Sequence, residues 1–360
     1  MTKERIYNFS AGPAVLSLEV LKEVEQNLLN YQGSGIGILE MSHRGPEFTE
    51  IIETCEKNLR NLLDINDNYA VLFMTGGASN QFSCVPMNLL GKGQTADYIL
   101  TGSWSKKAAK EAKKFGEVHI AASTENQNFN NIPKSYEFSK NSAYVHFTSN
   151  NTIFGTQWKS EPACGKRTLV CDASSDILHK KIDINKYGLL YAGAQKNLGP
   201  AGVTLVIIRK DLLEKIPNDL PIMMDYRTYS ENQSLYNTPP CIAIYVLGET
   251  FKWLKKMGGL NKMAKRNQEK AKILYDFIDG NDFYIGTAEK DSRSLMNVCF
   301  LLKNKDLESN FISEAQKAGF SGLKGHRSVG GMRASIYNAF PKKGVQDLVA
   351  FMKNFSDKNG

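Results

Sequence analysis

Nowhere in the 360 residues is there an unbroken run of about 18 apolar side chains, so no segment is expected to span a bilayer. The N-terminal stretch MTKERIYNFSAGPAVL also lacks the long apolar core of a secretory signal, which points to a cytoplasmic protein. Six cysteines (Cys55, Cys84, Cys164, Cys171, Cys241 and Cys299) are scattered with no C-x-x-C pair. Cys171 lies inside an apolar run, so buried free thiols are expected, and disulfides, zinc and other metal or redox chemistry are set aside. There is no internal repeat, no low-complexity segment, no Walker sequence, and no G-x-G-x-x-G following a strand pattern. Gly33, Gly35 and Gly37 follow helically spaced Leu21, Val24 and Leu28, and therefore read as a loop.

Negative charge is only slightly in deficit: 45 Lys plus Arg stand against 37 Asp plus Glu, a net +8. Spread over this length, that excess is too dilute for a nucleic-acid footprint. The densest cluster, Lys106, Lys107, Lys110, Lys113 and Lys114, alternates with alanine and Glu111 as a solvated helix face does. Neither nucleic acid nor membrane is an expected partner, whereas anionic small molecules are.

What is present is a globular composition, 42% hydrophobic and 23% charged, long enough for about two domains. Apolar runs of strand length recur at 70–74, 96–100, 143–147, 168–171, 189–192 and 203–208. Most lack in-out alternation, which belongs to strands buried on both faces of a mostly parallel sheet. Helical patterns at 48–63 and 103–115 separate several of them, so the first part of the chain reads as an α/β domain. Near Tyr236 the texture changes. Asn237-Thr-Pro-Pro240 reads as a helix start, with Thr238 as cap and Pro239 in the first turn. That helix should end at basic Lys255-Lys256 and a glycine stop, Gly258-Gly259. Beyond residue 260 come a helix, short strands at 282–285, 295–302 and 332–337, and amphipathic helices at 307–318 and 344–355, a smaller α+β domain.

Four segments can carry chemistry. In Tyr191-Ala-Gly-Ala-Gln-Lys196, a lysine follows a buried-type strand among small residues. Burial without a partner drives an amine neutral, as a Schiff-base lysine requires, although a surface lysine in a glycine-rich turn has the same pattern. The strand ending in Asp172, followed by Ala173-Ser174-Ser175, places a carboxylate on a second strand end, where open α/β sheets bind ligands. Lysine plus aspartate is the pair a pyridoxal phosphate ring needs, one on C4′ and one at the ring nitrogen. The alternative for Asp172 is an ordinary helix cap. Met74-Thr-Gly-Gly-Ala-Ser-Asn-Gln81 offers glycines and free N–H groups around Ala78 and Ser79 for a phosphate, or is simply a strand-to-helix turn. Met41-Ser-His-Arg-Gly45 and Gly325-His-Arg-Ser-Val-Gly-Gly-Met-Arg333 each place His-Arg beside glycine, an anion site built from both ends of the chain or else two basic loops.

Together with Asn8-Phe-Ser-Ala-Gly-Pro13, Gly102-Ser-Trp104, Tyr236-Asn-Thr-Pro-Pro240 and Gly330-Gly-Met-Arg-Ala-Ser-Ile-Tyr-Asn338, these segments form an ordered set along essentially the whole chain. In that set the chain resembles the phosphoserine aminotransferases, pyridoxal-phosphate-dependent transaminases of class V and fold type I. The resemblance implies a large cofactor-binding α/β domain at 16–258 with a mostly parallel, mixed seven-stranded sheet flanked by helices. Residues 1–15 and 259–360 would then form the small α+β domain. It implies Lys196 as the Schiff-base lysine and Asp172 at the ring nitrogen, with Ser174 in the cofactor shell. Trp104 would stack on the ring, Thr152 would bond its hydroxyl side, and Ala78, Ser79 and Gln195 would hold the phosphate. Asn237 and Thr238 would reach that phosphate across a homodimer interface. Ser10, His43, Arg44, His326, Arg327 and, from the partner chain, Arg333 would bind the substrate's carboxylate and phosphate. Some relatives carry arginine in the phosphate cup, where this chain has Ala78-Ser79-Asn80, so backbone N–H groups should matter more here.

The implied reaction is reversible transamination of 3-phosphohydroxypyruvate with L-glutamate, giving O-phospho-L-serine and 2-oxoglutarate in serine synthesis. The sequence leaves open whether 4-phosphohydroxythreonine of pyridoxine synthesis is accepted too. Alternatives are a different class V transaminase, a cysteine desulfurase, which needs a reactive cysteine on a mobile loop, or a cofactor-free basic binding protein.

Overall fold

The computed structural model describes residues 5–360, so the first four residues of the expected small domain lie outside the described residues. One sheet holds seven strands: β1 (Tyr69–Met74), β2 (Thr95–Leu100), β3 (Glu117–Ser123), β4 (Ser142–Thr148), β5 (Leu169–Asp172), β6 (Leu189–Gly193) and β7 (Thr204–Arg209). Their spatial order is β1-β7-β6-β5-β4-β2-β3. Strand β7 is antiparallel to both its neighbours and every other pairing is parallel, the mixed sheet expected.

Burial on both faces explains the continuous apolar runs. In β4, Val145 and Phe147 enter one core while Tyr144 enters the core on the opposite face. Strand β3 escaped the sequence reading because it is poorly covered on its faces: in Glu-Val-His-Ile-Ala-Ala-Ser only Ala121 is buried. On one face the helix Pro46–Leu63 buries Phe48, Ile52, Cys55 and Leu59 and packs on the helix Cys241–Lys256. The lysines of the helix Ser103–Ala112 and of the turn after it are exposed, as the pattern implied.

The expected start of the helix at Thr238 is displaced. The helix begins at Cys241, behind Pro240, and Thr238 is exposed and caps nothing. The two prolines account for this, since each disfavours helical geometry in the residue before it. The glycine stop falls where expected, with Gly258 at φ 92°.

The C-terminal part forms an antiparallel sheet of β8 (Tyr284–Gly286), β9 (Asn297–Leu302) and β10 (Met332–Ser335), with β9 central. Helices Gly259–Asp279, Glu308–Lys317 and Lys342–Asn359 bury Leu274, Phe311, Leu348 and Met352 into its core. Phe9 joins that core, because Tyr7–Asn8 pairs in parallel with Phe320–Ser321. The chain's start is thereby fixed before it runs on to the strand ends of the larger sheet. All six cysteines are free thiols. Among the described residues no helix is long and apolar enough to cross a membrane.

Candidate active site

Parallel pairing of β5 with β6 sets Asp172 opposite Tyr191, and Lys196 follows three residues beyond the end of β6. Both groups therefore lie at the carboxyl edge of the sheet, where α/β folds bind their ligands. Asp172 is 4% exposed, and burial raises its pKa against the opposing pull of Ser174 and Lys196. Its Oδ1 accepts from the Ser174 hydroxyl at 2.6 Å and the Ser174 N–H at 3.0 Å. The same hydroxyl accepts from the Gly193 N–H at 3.1 Å, tying the aspartate to the lysine's strand. Among the described residues no hydrogen bond reaches Oδ2, which leaves that oxygen for a ligand.

Lys196 is half-buried, and desolvation pushes its amine down to about 8, with Asp172 opposing and Arg333 reinforcing the shift. Its Nζ donates to Thr152 Oγ1 at 2.7 Å. Thr152 belongs to the turn after β4, which is tied to the turn after β2: Asn151 Nδ2 donates to Thr101 Oγ1 at 2.8 Å. A side chain at Gly102 would start 2.1 Å from Asn151 Oδ1, so glycine alone permits this approach. Trp104, two residues on, is thereby held half-buried at the start of its helix, with Lys107 Nζ 4.4 Å from its ring centre.

The helix Gly77–Leu89 starts at the end of β1 through Gly76 (φ 88°) and Gly77 (φ 67°), a geometry L side chains avoid. No side chain caps it and its first turn carries no acidic residue, so the N–H groups around Ala78 and Ser79 are free for an anion. Asn80 turns away and donates to Cys84 Sγ at 3.4 Å. Together, an unused carboxylate oxygen on a buried aspartate, a neutral-prone amine and an uncapped helix N-terminus fit pyridoxal phosphate: Asp172 would take its ring nitrogen, Lys196 its carbonyl carbon, and Ala78 and Ser79 its phosphate. The N-terminal segment adds a wall. Ala14 N–H donates to Gln195 O at 2.8 Å, and Gly12 lies against the Gln195 and Lys196 side chains.

Arg333 departs from its expected origin. It was assigned to a partner chain, yet its Nη1 donates to the main-chain oxygen of Thr152 in its own chain at 3.3 Å, while its Nε is buried without a partner. The reason is β10, whose pairing with β9 sets Arg333 opposite Cys299, itself bonded to Ile153 O. His326 feels the charges of Arg333, Arg327 and Lys107, which together with desolvation lower its pKa, and its Nδ1 bonds with Ser328 Oγ at 2.7 Å. Arg327 is exposed. Ser10 packs against Gly322, and its N–H donates to Asn8 Oδ1 at 3.0 Å.

Other expected residues are not gathered within one chain. Arg44 is exposed, and His43 holds a buried Nε2 with no partner. Neither bonds to His326 or Arg327 among the described residues. Asn237 and Thr238 are exposed and make no bond to the turn at 76–79. Sequence reasoning missed the role of Asn197, whose Oδ1 accepts from the Asn338 N–H at 3.0 Å and so joins the C-terminal part to the residue after Lys196. It missed Lys107 as a neighbour of Trp104 and His326 as well. The only sequence signal for Asn197 and Asn338 was membership of the matched segments.

The pattern of the family described as aminotransferase class-V matches residues 6–348. The chain is 54% identical over 358 residues to the phosphoserine aminotransferase of Desulfotalea psychrophila, covering 99% of each. It is 53% identical to that of Lysinibacillus sphaericus, again covering 99% of each. Among solved structures, the phosphoserine aminotransferase from Bacillus circulans subsp. alkalophilus superposes with a TM-score of 0.98 at 49% identity, covering 99% of this chain and 100% of that one. A PLP-bound phosphoserine aminotransferase from Trichomonas vaginalis superposes with a TM-score of 0.93 at 39% identity, covering 97% and 100%.

Proposed function

This chain belongs to the class-V aminotransferases, and from that premise we propose that it catalyses reversible amino-group transfer between L-glutamate and 3-phosphohydroxypyruvate, yielding 2-oxoglutarate and O-phospho-L-serine. The observation that carries this reading is Lys196 and Asp172 on the ends of adjacent parallel strands, the amine near neutrality and the carboxylate with one oxygen unused.

Pyridoxal phosphate, when bound, supplies the electron sink for the carbon that loses its proton. Lys196 would hold the cofactor at its carbonyl carbon, and its amine is placed to move a proton to and from the substrate Cα, a task suited to a pKa near the working pH. Asp172, oriented by Ser174 and through it by Gly193, would hold the ring nitrogen's proton. Trp104 would cover the ring, Thr152 orients Lys196, and Ala78, Ser79 and Gln195 would bind the cofactor's phosphate. Arg333 takes the substrate carboxylate through its free guanidinium donors, and Ser10, His326 and Arg327 line the same anion site. His43, Arg44, Asn237 and Thr238 complete the site from a second copy in a homodimer. Support for that assembly comes from the exposure of Asn237 and Thr238, and from Leu29 (84%), Leu39 (66%) and Ile36 (46%), exposed on the segment leading to His43. The enzyme works in the cytoplasm.

Desulfuration lacks a nucleophile here. Burial pushes the Cys84 and Cys299 thiols up to about 12 and raises half-buried Cys241. A single-turnover experiment tests the proposal: the holoenzyme is mixed with O-phospho-L-serine or with L-alanine, and the visible cofactor spectrum is followed. Phosphoserine should convert it far faster than alanine, and equal rates would sink the reading. 4-Phosphohydroxythreonine in a third arm reports on the pyridoxine branch.

A further inference from the structure

A second pocket lies away from the strand ends, where the N-terminal segment crosses the helices Cys241–Lys256 and Gly259–Asp279. It is a cavity of about 420 Å³, large enough for a small organic molecule, with Ile6, Leu16, Trp253, Met257 and Phe340 among its apolar lining. Two arginines, Arg5 and Arg266, also face it. Neither makes a hydrogen bond or an ion pair among the described residues, and Arg266 Nε is buried with no partner.

The carboxylates that could neutralise them are engaged elsewhere. Glu19, also on the lining, pairs with Lys256 at 2.6 Å, and Glu269, one helical turn from Arg266, pairs with Lys342 at 2.8 Å. Lys270, one turn beyond Arg266, brings no counter-charge either: it is fully buried and donates to the main-chain oxygens of Ile336 (2.9 Å), Tyr337 (2.5 Å) and Phe340 (3.3 Å). Burial, and to a lesser degree the Arg266 charge, pushes that amine well below its ordinary value. A largely apolar chamber whose arginines form no ion pair among the described residues selects for an anion carrying an apolar body. A guanidinium fork pairs best with a planar carboxylate.

We propose that this cavity is a binding site, separate from the substrate site, for a small aromatic or branched carboxylate held by Arg266 and Arg5. Its position connects it to the reaction centre by two routes. Ala339 and Phe340 on its lining follow Asn338, which bonds to Asn197, and Asn8 leads to the segment lying on Lys196.

Calorimetric titration of the holoenzyme with benzoate, in the presence of excess O-phospho-L-serine to fill the substrate site, tests the assignment. One benzoate should bind per chain, Arg266→Gln should weaken it about tenfold, the loss expected for a charged hydrogen bond, and Arg266→Lys should recover part of the affinity. Benzamide, of the same shape without the charge, should bind more weakly. Phosphoserine turnover by Arg266→Gln should match the unaltered enzyme, which separates this result from misfolding and from any failure of the proposed reaction. No benzoate binding, equal affinity in Arg266→Gln, or displacement by phosphoserine would each overturn the proposal.

Discussion

Lys196 and Arg333 converge on a single residue: Lys196 Nζ donates to Thr152 Oγ1 at 2.7 Å, and Arg333 Nη1 donates to the main-chain oxygen of the same threonine at 3.3 Å. Two cations held this close lower one another's affinity for protons, and lysine is the one that can respond. Arg333 thus adds to the desolvation that lowers the amine's pKa and presents free donors to an anionic substrate.

Replacing Arg333 by Gln should therefore move a pH profile as well as weaken substrate. Cofactor uptake by the cofactor-free chain needs the neutral amine, so its rate should rise with pH through a midpoint near 8. Removing the arginine charge raises the amine's pKa, so the midpoint should move to higher pH. Stopped-flow uptake measured from acid to alkaline pH checks this, and an unmoved midpoint would show that Arg333 does not act on Lys196.

Lys196→Ala should keep the fold, since the half-buried side chain contributes only one hydrogen bond, to Thr152. Turnover should fall by about 10²- to 10⁴-fold, the usual worth of a positioned proton carrier, or further because the cofactor attachment is lost. Circular dichroism together with a coupled transaminase assay reads both, and full activity would refute the assignment of Lys196.

Ser174→Ala removes the 2.6 Å bond to Asp172 and the acceptor for the Gly193 N–H, leaving the carboxylate buried with weaker support. Its pKa should rise further, since the lost hydroxyl bond is one of those holding it down, while the main-chain N–H of residue 174 stays. Turnover should drop by roughly tenfold at neutral pH, with a larger deficit in acid, where the carboxylate is lost first. A deficit independent of pH would mean that Ser174 acts by packing alone.

His146 gives a stability test. It is buried behind the site, bonded to the Tyr191 hydroxyl at 2.9 Å and stacked 4.7 Å from Tyr98, and burial lowers its pKa to about 3. An unfolded histidine titrates near about 6.5. Below that pH the unfolded chain takes up a proton that the folded chain refuses, so this contribution to stability is complete above pH ~6.5 and is lost as pH falls toward ~3. His146→Phe should cost about 1 kcal/mol at pH ~7.5 through the lost hydrogen bond, and the gap should close or reverse near pH ~5.5. Urea unfolding at the two pH values measures it, and a constant gap would contradict the depressed pKa.

Arg327→Gln and Arg44→Gln should each raise the KM for phosphoserine more than that for glutamate, because a doubly charged phosphate loses more from one missing guanidinium than a carboxylate does. Equal losses for both substrates would remove these residues from the phosphate site.

Much of this was legible in the sequence because it is encoded locally. Continuous apolar runs marked six of the seven strands of the main sheet, and strand-end position singled out Lys196 and Asp172, since a residue just past a buried strand inherits the edge on which such sheets bind ligands. The glycine turn at Gly76-Gly77 was readable for the same reason, its backbone geometry being open to almost no other residue. Tertiary structure alone decided the rest. Edge strand β3 has no apolar run because the layers packed on the sheet leave most of it uncovered, whereas β1, at the other edge, is buried, and the direction of β7 depends on its insertion between β1 and β6. The Lys196–Thr152 and Arg333–Thr152 bonds join residues 44 and 181 positions apart, and the Arg266 cavity forms only where the chain's start crosses two later helices. Periodicity reports what a segment buries, but strand order and register determine which distant residues meet, and here they turn Arg333 toward its own chain's lysine.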